Sequence, residues 1–120
     1  MKLSARQKLN MSRRDPAVPL QHMLEYAQKA IVISRGRSIK DLDEDLTFNL
    51  ALTHLVEIIG EAANRVPEEF QESHPEIPWA QIVGMRNRLI HGYDEVDLNF
   101  LWSVIENDLP GLITQLENLL

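Results

Sequence analysis

Residues 41–67 read DLDEDLTFNLALTHLVEIIGEAANRVP, and the spacing of their apolar side chains decides the fold class. Apolar residues recur every three or four positions, which is the pattern of a helix with one buried face. Acidic residues at the start of the stretch favour the positive end of a helix, and the helix must stop before Pro67. Gly60 lies within the apolar pattern, where close helix packing explains it better than phosphate binding. The predicted buried face comprises Phe48, Leu52, Leu55, Val56, Ile59, Ala62 and Ala63.

Helical spacing also predicts a helix on each side of this stretch. Apolar residues between Leu20 and Ile31 define an earlier helix, which is interrupted near Gly36. A later helix begins near Pro78, because proline suits a first helical position, and runs to Gly92 as its left-handed C-terminal cap. The proline-rich connection PEEFQESHPEIP, which joins the helix of the opening stretch to this later helix, is predicted to hold one short helical turn.

The C-terminal residues predict a last helix from Leu98 to Leu120 with a kink at Pro110, because proline lacks a backbone donor and clashes with the preceding turn. No stretch shows sustained two-residue alternation of apolar and polar side chains. We therefore predict an all-α fold, an antiparallel bundle of four to five helices with a kinked C-terminal helix. Residues 12–120 are predicted to form a single domain. Residues 1–11 are interpreted as a mobile extension, an alternative start or an expression remnant.

Composition argues against several classes of protein. The chain has 120 residues and no cysteine, which rules out disulfide scaffolds, thiol catalysis and cysteine-bound metal sites. No apolar run is long enough to cross a membrane and no signal peptide is visible, so we expect a cytoplasmic protein without a membrane partner.

The net charge of −6 is unevenly distributed along the chain. Residues 1–40 hold nine basic and two acidic residues, a balance of +7, whereas residues 41–120 have a balance of −13. An acidic chain is a poor general binder of nucleic acid. The basic third can nevertheless form a local phosphate track, dock an acidic partner, or be an ordinary solvated surface.

Residues 85–97, MRNRLIHGYDEVD, concentrate groups that bind anions and transfer protons. On a helical wheel Arg86 falls on the apolar side, where a buried guanidinium without a partner would be strongly destabilising. Arg86 must therefore meet a carboxylate, line a wet cleft or face a second subunit. Glu57 and Glu61 are candidate partners, in the same chain or in another copy.

Spacing alone also allows an ordinary explanation of this segment. Arg86 and Arg88 can form surface salt bridges, and His91 can be a cation favoured by the helix C-terminus. Tyr93 can lie at the rim of the core. No pair of histidines has a metal-binding spacing, so we expect no metal and no cofactor. We interpret three further histidines as structural or surface residues, namely His22, His54 and His74.

The segment RNRLIHGY resembles the R-x-x-x-x-H-x-Y signature of HepT-like toxins, which belong to the HEPN superfamily of helical ribonucleases. Arg86, His91 and Tyr93 occupy the signature positions, and Asn87 occupies the polar position after the arginine. The likeness extends over residues 12–120 and includes RRDPAVPLQHMLEYAQKAI, IIGEAANRVPEEFQESHPEIPWAQIVGMRNRLIHGY and DLPGLITQLENLL. The signature is short, and the longer match makes the resemblance specific.

The resemblance implies a metal-independent RNA endonuclease in which Arg86 and His91 are catalytic and Asn87 assists. An imidazole suits proton transfer near neutral pH, and a guanidinium offers paired donors to phosphate oxygens. One chain supplies one such histidine, and in this family two motifs meet across a homodimer. We therefore expect a homodimer with a composite active site and an RNA substrate, either transfer RNA or messenger RNA.

The resemblance also implies a partner protein. In this family a cognate minimal nucleotidyltransferase, the antitoxin, transfers AMP to the motif tyrosine, which is Tyr93 here. The added charge beside Arg86 would repel RNA and inactivate the nuclease. We therefore expect the toxin of a type II or type VII-like toxin–antitoxin pair. The alternatives are a non-catalytic, nucleotide- or partner-binding subunit of a nucleotidyltransferase complex, and a structural dimerisation domain.

Overall fold

The central element of the fold is a long helix, α3 (Leu46–Asn64), which packs along α1 (Ala17–Ser34) and against several later helices. The computed structural model describes residues 15–91 and 95–120. The described chain is mostly helical, with one pair of two-residue strands, and this confirms the predicted all-α fold. The other elements are α2 (Ile39–Glu44), α4 (Glu68–Ser73), α5 (Trp79–Val83), α6 (Met85–Leu89), β1 (Ile90–His91), β2 (Glu95–Val96), α7 (Leu98–Ser103), a π-helix (Val104–Asp108) and α8 (Leu109–Leu119).

The core forms where α1, α3 and the later helices meet. Of the predicted apolar face of α3, only Leu55 is partly exposed, and the other members are buried. Burying one leucine or isoleucine side chain stabilises a fold by about 1.5–3 kcal/mol. Side chains from α1 and from α5 to α8 complete the core, among them Leu20, Met23, Ala27, Ile82, Met85, Leu89, Leu101, Leu109, Leu112 and Leu116.

The helices between residues 17 and 73 end close to the predicted positions. α1 ends at Ser34, and Gly36 follows in a left-handed conformation with φ of 71°. α3 ends at Asn64, before Pro67, and the proline-rich connection holds the short helix α4. The acidic stretch differs from the prediction in forming two helices, because the backbone of Asp45 is extended between α2 and α3 (φ −117°, ψ 98°).

Arg37 and two carboxylates fix the junction of α1, α2 and α3. The Arg37 guanidinium donates to Asp45 at 2.7 Å, lies 3.5 Å from Asp41 and stacks 4.0 Å above the Phe48 ring. The hydrogen bond from Arg37 lowers the pKa of Asp45, and a backbone N–H of Phe48 adds to this effect. The pKa of Asp41 is lowered first by the backbone N–H of Ser38 and also by Arg37.

Acid should weaken this junction. A carboxylate with a lowered pKa stabilises the fold above the pKa of the unfolded chain, and this contribution is lost as the pH falls through the folded pKa, here below about pH 4. We expect Arg37→Gln to lower the melting temperature near neutral pH, with a deficit that shrinks toward about pH 2.5. Circular dichroism melting curves recorded at each pH measure the melting temperature of wild type and of Arg37→Gln. Lys40→Gln, at the exposed Lys40–Glu44 pair, is the control with little effect. A deficit of constant size would mean that only the stacking on Phe48 matters.

The helix predicted from Pro78 to Gly92 is shorter and is interrupted. Gly84 separates α5 from α6, and Ile90 leaves the helix in an extended conformation with φ of −102° and ψ of 117°. The predicted end at Gly92 is therefore wrong, because the backbone of β1 pairs antiparallel with β2 instead of continuing the helix. Gly92, the predicted cap, lies outside the described residues.

Pro110 interrupts the C-terminal helix, and a π-helix accompanies the interruption. Pro110 lies in the first turn of α8, where its missing N–H is not needed. In a regular α-helix its ring would clash with the carbonyl of Glu106, four residues earlier. The wider π-turn, closed by the Leu109 N–H on the Val104 carbonyl, accommodates the ring.

The predicted extension, residues 1–11, lies outside the described residues, and its boundary stays a prediction. Within residues 15–91 and 95–120, no helix combines the length and the apolar character that a membrane span requires.

Candidate functional site

Helix α6 presents three polar side chains along its exposed side. Successive helical residues are about 100° apart, so Arg86, Asn87 and Arg88 span an arc of about 200°. All three are exposed, whereas Met85 and Leu89, which complete the circle, are buried. The helix carries no acidic residue. This α6 arc (Arg86, Asn87 and Arg88) therefore presents hydrogen-bond donors around the exposed side of the helix, which suits an anionic ligand.

Two glutamates of α3 face the Arg86 guanidinium. Arg86 Nε lies 3.9 Å from Oε2 of Glu57, and Arg86 Nη1 lies 3.7 Å from Oε1 of Glu61. Glu57 and Glu61 are one helical turn apart, which is why one guanidinium reaches both. These distances exceed those of hydrogen bonds, and the Arg86 side chain is 59% exposed. The glutamates thus orient the guanidinium while its donors stay available to a ligand.

The structure shows which neighbours the two arginines have within the chain. Arg86 is exposed at the edge of the apolar side of its helix, and both candidate carboxylates, Glu57 and Glu61, reach it from the same chain. Spacing also allowed Arg88 a surface salt bridge, and within the described ranges it forms none. Instead its guanidinium lies over the Phe100 ring, 4.3 Å from the ring centre.

Two short strands follow α6, and the first of them ends at His91. β1 and β2 pair antiparallel, and the Asp97 N–H donates to the Leu89 carbonyl at 2.7 Å. These bonds fix the backbone of His91 directly after α6. Residues 92–94, which include Tyr93, connect the two strands in sequence and lie outside the described residues. The roles of His91 and Tyr93 therefore stay predictions.

A cavity of about 580 Å³ lies on the Arg88 side of α6. It falls within the size range of small-molecule pockets, about 300–1,000 Å³. The sequence did not predict this cavity, because its walls come from α5 to α8, whose approach to one another has no local sequence pattern. Its lining includes Ile82, Met85, Arg88, Phe100, Asn107 and Leu112.

The other histidines have structural or surface positions, as predicted. His22 and His54 are exposed on helices. His74 Nδ1 lies 3.0 Å from Glu76, and its ring packs 4.4 Å from Phe70. The pKa of Glu76 is lowered first by its own backbone N–H and then by the hydrogen bond with His74. Among the residues whose placement the structure describes, no three histidine or carboxylate side chains are grouped closely enough to hold a metal ion.

Comparison with protein families adds a decisive observation. A family model described as "Ribonuclease HepT-like" matches residues 23–119, which include the α6 arc and both strands. The chain belongs to the HepT-like ribonuclease family. The resemblance predicted from the RNRLIHGY segment is thus confirmed for most of the chain.

Three relatives align with most of the chain. "Probable ribonuclease HepT" of Thermococcus cleftensis is 41% identical over 100 residues, covering 83% of this chain and 91% of the relative. A protein of Caldanaerobacter subterraneus, named as a proposed RNase, is 36% identical over 107 residues, with coverages of 89% and 96%. A Methanocaldococcus jannaschii protein with a similar name is 33% identical over 107 residues, with coverages of 89% and 98%. No solved structure matches the chain significantly.

Proposed function

We propose that this HepT-like protein is an RNA endonuclease that needs no metal ion. The observation that carries the proposal is the α6 arc, which presents an accessible Arg86 immediately before the strand that ends in His91. In the proposal Arg86 binds the phosphate, His91 transfers protons, and Asn87 orients the phosphate or the imidazole. The ribonuclease names of the relatives support RNA as the substrate. A cytoplasmic location, proposed on the sequence alone, would bring the protein to transfer and messenger RNA.

RNA supplies its own nucleophile for this reaction. The ribose 2′-oxygen attacks the adjacent phosphorus, the bond to the 5′-oxygen breaks, and the products carry a 2′,3′-cyclic phosphate and a 5′-hydroxyl. A base accepts the proton of the 2′-hydroxyl, and an acid gives a proton to the departing 5′-oxygen. Imidazole can serve in either role, because its two forms coexist near neutral pH. The guanidinium of Arg86 stabilises the charge that develops on the equatorial phosphate oxygens.

Two separate proton transfers favour a site built by two chains. We propose a homodimer in which His91 of one copy acts as the base and His91 of the other as the acid. Exposed apolar side chains support this assembly, since Leu46 and Leu50 are 71% and 58% exposed. Both line a groove with Glu95 and Val96 of β2, the strand that pairs with β1 and His91. Large apolar side chains grouped beside a site are typical of contact surfaces.

A cleavage assay tests the proposal directly. Purified, unmodified protein is incubated with transfer RNA or messenger RNA in excess chelator, and the fragment ends are analysed. We expect cleavage to persist in chelator and to yield 2′,3′-cyclic phosphate ends. His91→Ala protein, purified in parallel, should be inactive and controls for contaminating nucleases. Cleavage that stops in chelator would contradict the metal-independent mechanism.

The same assay separates the nuclease from its main alternative. The acidic net charge and the two glutamates beside Arg86 weaken RNA binding, and this favours as second candidate a non-catalytic subunit that binds a nucleotide or a nucleotidyltransferase. If wild type and His91→Ala both leave RNA intact, while both bind the transferase, the protein is that subunit. Finding a neighbouring gene for a small nucleotidyltransferase would argue against a purely structural dimerisation domain.

We further propose that the nuclease is the toxin of a toxin–antitoxin pair and that Tyr93 is its regulatory site. In this proposal a cognate nucleotidyltransferase transfers AMP from ATP to the Tyr93 hydroxyl and releases pyrophosphate. The sequence puts Tyr93 two residues after His91, so the added phosphate would repel RNA from the same site.

Intact-mass measurement tests the modification. Protein co-expressed with the transferase should gain the mass of one or more AMP groups and lose its nuclease activity. Tyr93→Phe protein should gain none. Tyr26→Phe is the matched control, because Tyr26 lies on α1, far from the signature in sequence, and this variant should be modified like wild type. Equal modification of Tyr93→Phe would assign the AMP to another residue.

A further inference from the structure

The cavity beside Arg88 is not used by the proposed reaction, and its lining has the chemistry of a base-binding pocket. Buried apolar side chains form its floor, which suits the flat face of a heterocycle. Side-chain amides among its lining residues can donate and accept hydrogen bonds, as recognition of a base edge requires. The floor and these amides are contributed by Ile82, Met85, Leu109, Leu112, Gln81 and Asn107.

Arg88 supplies a stacking plane at one wall of this cavity. Its guanidinium lies 4.3 Å from the centre of the Phe100 ring, so one face of the group is held by an aromatic side chain. Bases of single-stranded RNA stack on arginine planes as well as on aromatic rings. Asp108 also lines the cavity and would repel a phosphate. The charges therefore favour a base, rather than a phosphate, inside the cavity.

We propose that this cavity binds one nucleobase of the same RNA whose phosphate Arg86 holds, an inference that rests on the proposed ribonuclease function. The α6 arc connects the two places. Arg86 and Asn87 would contact the sugar–phosphate backbone, and Arg88 would hold the base beyond it. Binding of one base explains how a chain with a net charge of −6 can select RNA without a large basic surface.

Substitutions that fill the cavity provide the test. Gly111 lines the cavity, and a Cβ atom at this position would meet nothing within 4 Å, so Gly111→Phe can fill the space without moving the backbone. Thr114→Phe fills it from the next turn of α8 and guards against a folding defect in the first variant. Asn118→Phe is the matched control, because Asn118 is exposed on the same helix but does not line the cavity.

Two measurements are made on each protein. Amide chemical shifts are recorded while AMP, GMP, CMP or UMP is added, and cleavage is measured on four short RNAs that differ in the base beside the cut. In wild type we expect at least one mononucleotide to shift amides lining the cavity, such as Leu112, and the four RNAs to differ about tenfold or more in kcat/KM. Both effects should disappear in Gly111→Phe and Thr114→Phe, and persist in Asn118→Phe.

The outcomes distinguish the pocket from the enzyme. Folded filling variants that keep wild-type shifts and base preference would overturn the pocket. Filling variants that become monomeric in sedimentation, with no mononucleotide binding to wild type, would assign the cavity to a subunit interface and also overturn it. Mononucleotide binding in the cavity without any RNA cleavage would leave the base pocket standing and reject the ribonuclease proposal.

Discussion

Replacement of Arg86 by alanine is expected to lower kcat/KM for RNA cleavage by about 10²–10³-fold while leaving the fold intact. The loss in rate follows from the proposed role of the guanidinium, which provides paired donors to a phosphate whose charge grows during the reaction. The fold should survive because the side chain is 59% exposed and its contacts with Glu57 and Glu61 are longer than hydrogen bonds. Exposed ion pairs of this kind contribute about 0–1 kcal/mol to stability.

A second arginine that contacts the same glutamate provides a matched control. Arg65 Nη2 lies 3.9 Å from Glu61, and the Arg65 side chain is 75% exposed, so Arg65→Ala removes an equal charge from the same neighbourhood. We expect Arg65→Ala to change kcat/KM by less than about threefold, because screening weakens exposed charges that do not touch the substrate. Initial rates on one RNA, together with thermal melts of both variants, give the comparison. An equal loss in both variants would show that Arg86 acts only through general charge.

The geometry of the donors can be separated from their charge with Arg86→Lys. Lysine keeps the positive charge but presents a single ammonium group instead of a planar fork. We expect Arg86→Lys to recover only part of the activity lost in Arg86→Ala. Recovery to the wild-type rate would contradict paired donation to the phosphate and favour a simple electrostatic role.

Elements of the fold with a strong local signal were predictable from the sequence. The apolar face of α3 is buried almost as its three- and four-residue spacing indicates, because a helix this long can bury only one side. Gly36 and Pro67 mark ends of helices for backbone reasons that need no tertiary information. The family signature also named Arg86 and Asn87, which the structure places on the exposed side of one short helix.

Features that depend on tertiary contacts were not predictable. The sequence named Glu57 and Glu61 as candidate partners of Arg86 but could not decide whether they come from the same chain or from another copy. Helical spacing indicates the side of the helix on which a residue lies, but not its distance from residues of other helices. The stacking of Arg88 on Phe100 joins residues from two helices, and no spacing rule connects them. The end of α6 at Leu89 reflects strand pairing with a later segment, which overrides local helical preference.

Substitution of Gly60 should have the largest effect on stability. A Cβ atom at this position of α3 would lie 3.0 Å from the carbonyl oxygen of Ile82 in α5, so the two helices would have to separate. For Gly60→Val we expect a loss of about 3 kcal/mol in the free energy of unfolding, since crowding of this kind outweighs the gain of about 0.5–1 kcal/mol from removing a helical glycine. The melting temperature should fall by about 10 °C.

A second helical glycine, Gly111, separates the cost of steric crowding from the gain in helix stability that comes with replacing a glycine. At Gly111 of α8 a Cβ atom would meet no other atom within 4 Å, so Gly111→Ala should be neutral or stabilising by about 0.5 kcal/mol. Gly60→Ala should be destabilising, although by less than Gly60→Val. Urea unfolding of the three variants measures these differences. Equal effects of alanine at Gly60 and Gly111 would show that the close approach to Ile82 does not constrain the fold.

The close approach of α5 to α3 at Gly60 should also determine the position of Arg86, because α5 leads directly into α6 through Gly84. A shift of α5 away from α3 moves Arg86 relative to Glu57 and Glu61, which belong to the same helix as Gly60. Gly60→Ala is therefore expected to lower kcat by about tenfold at a temperature where the protein stays fully folded, since small displacements of a catalytic group are costly. Full activity of folded Gly60→Ala would mean that α6 adjusts independently of α5.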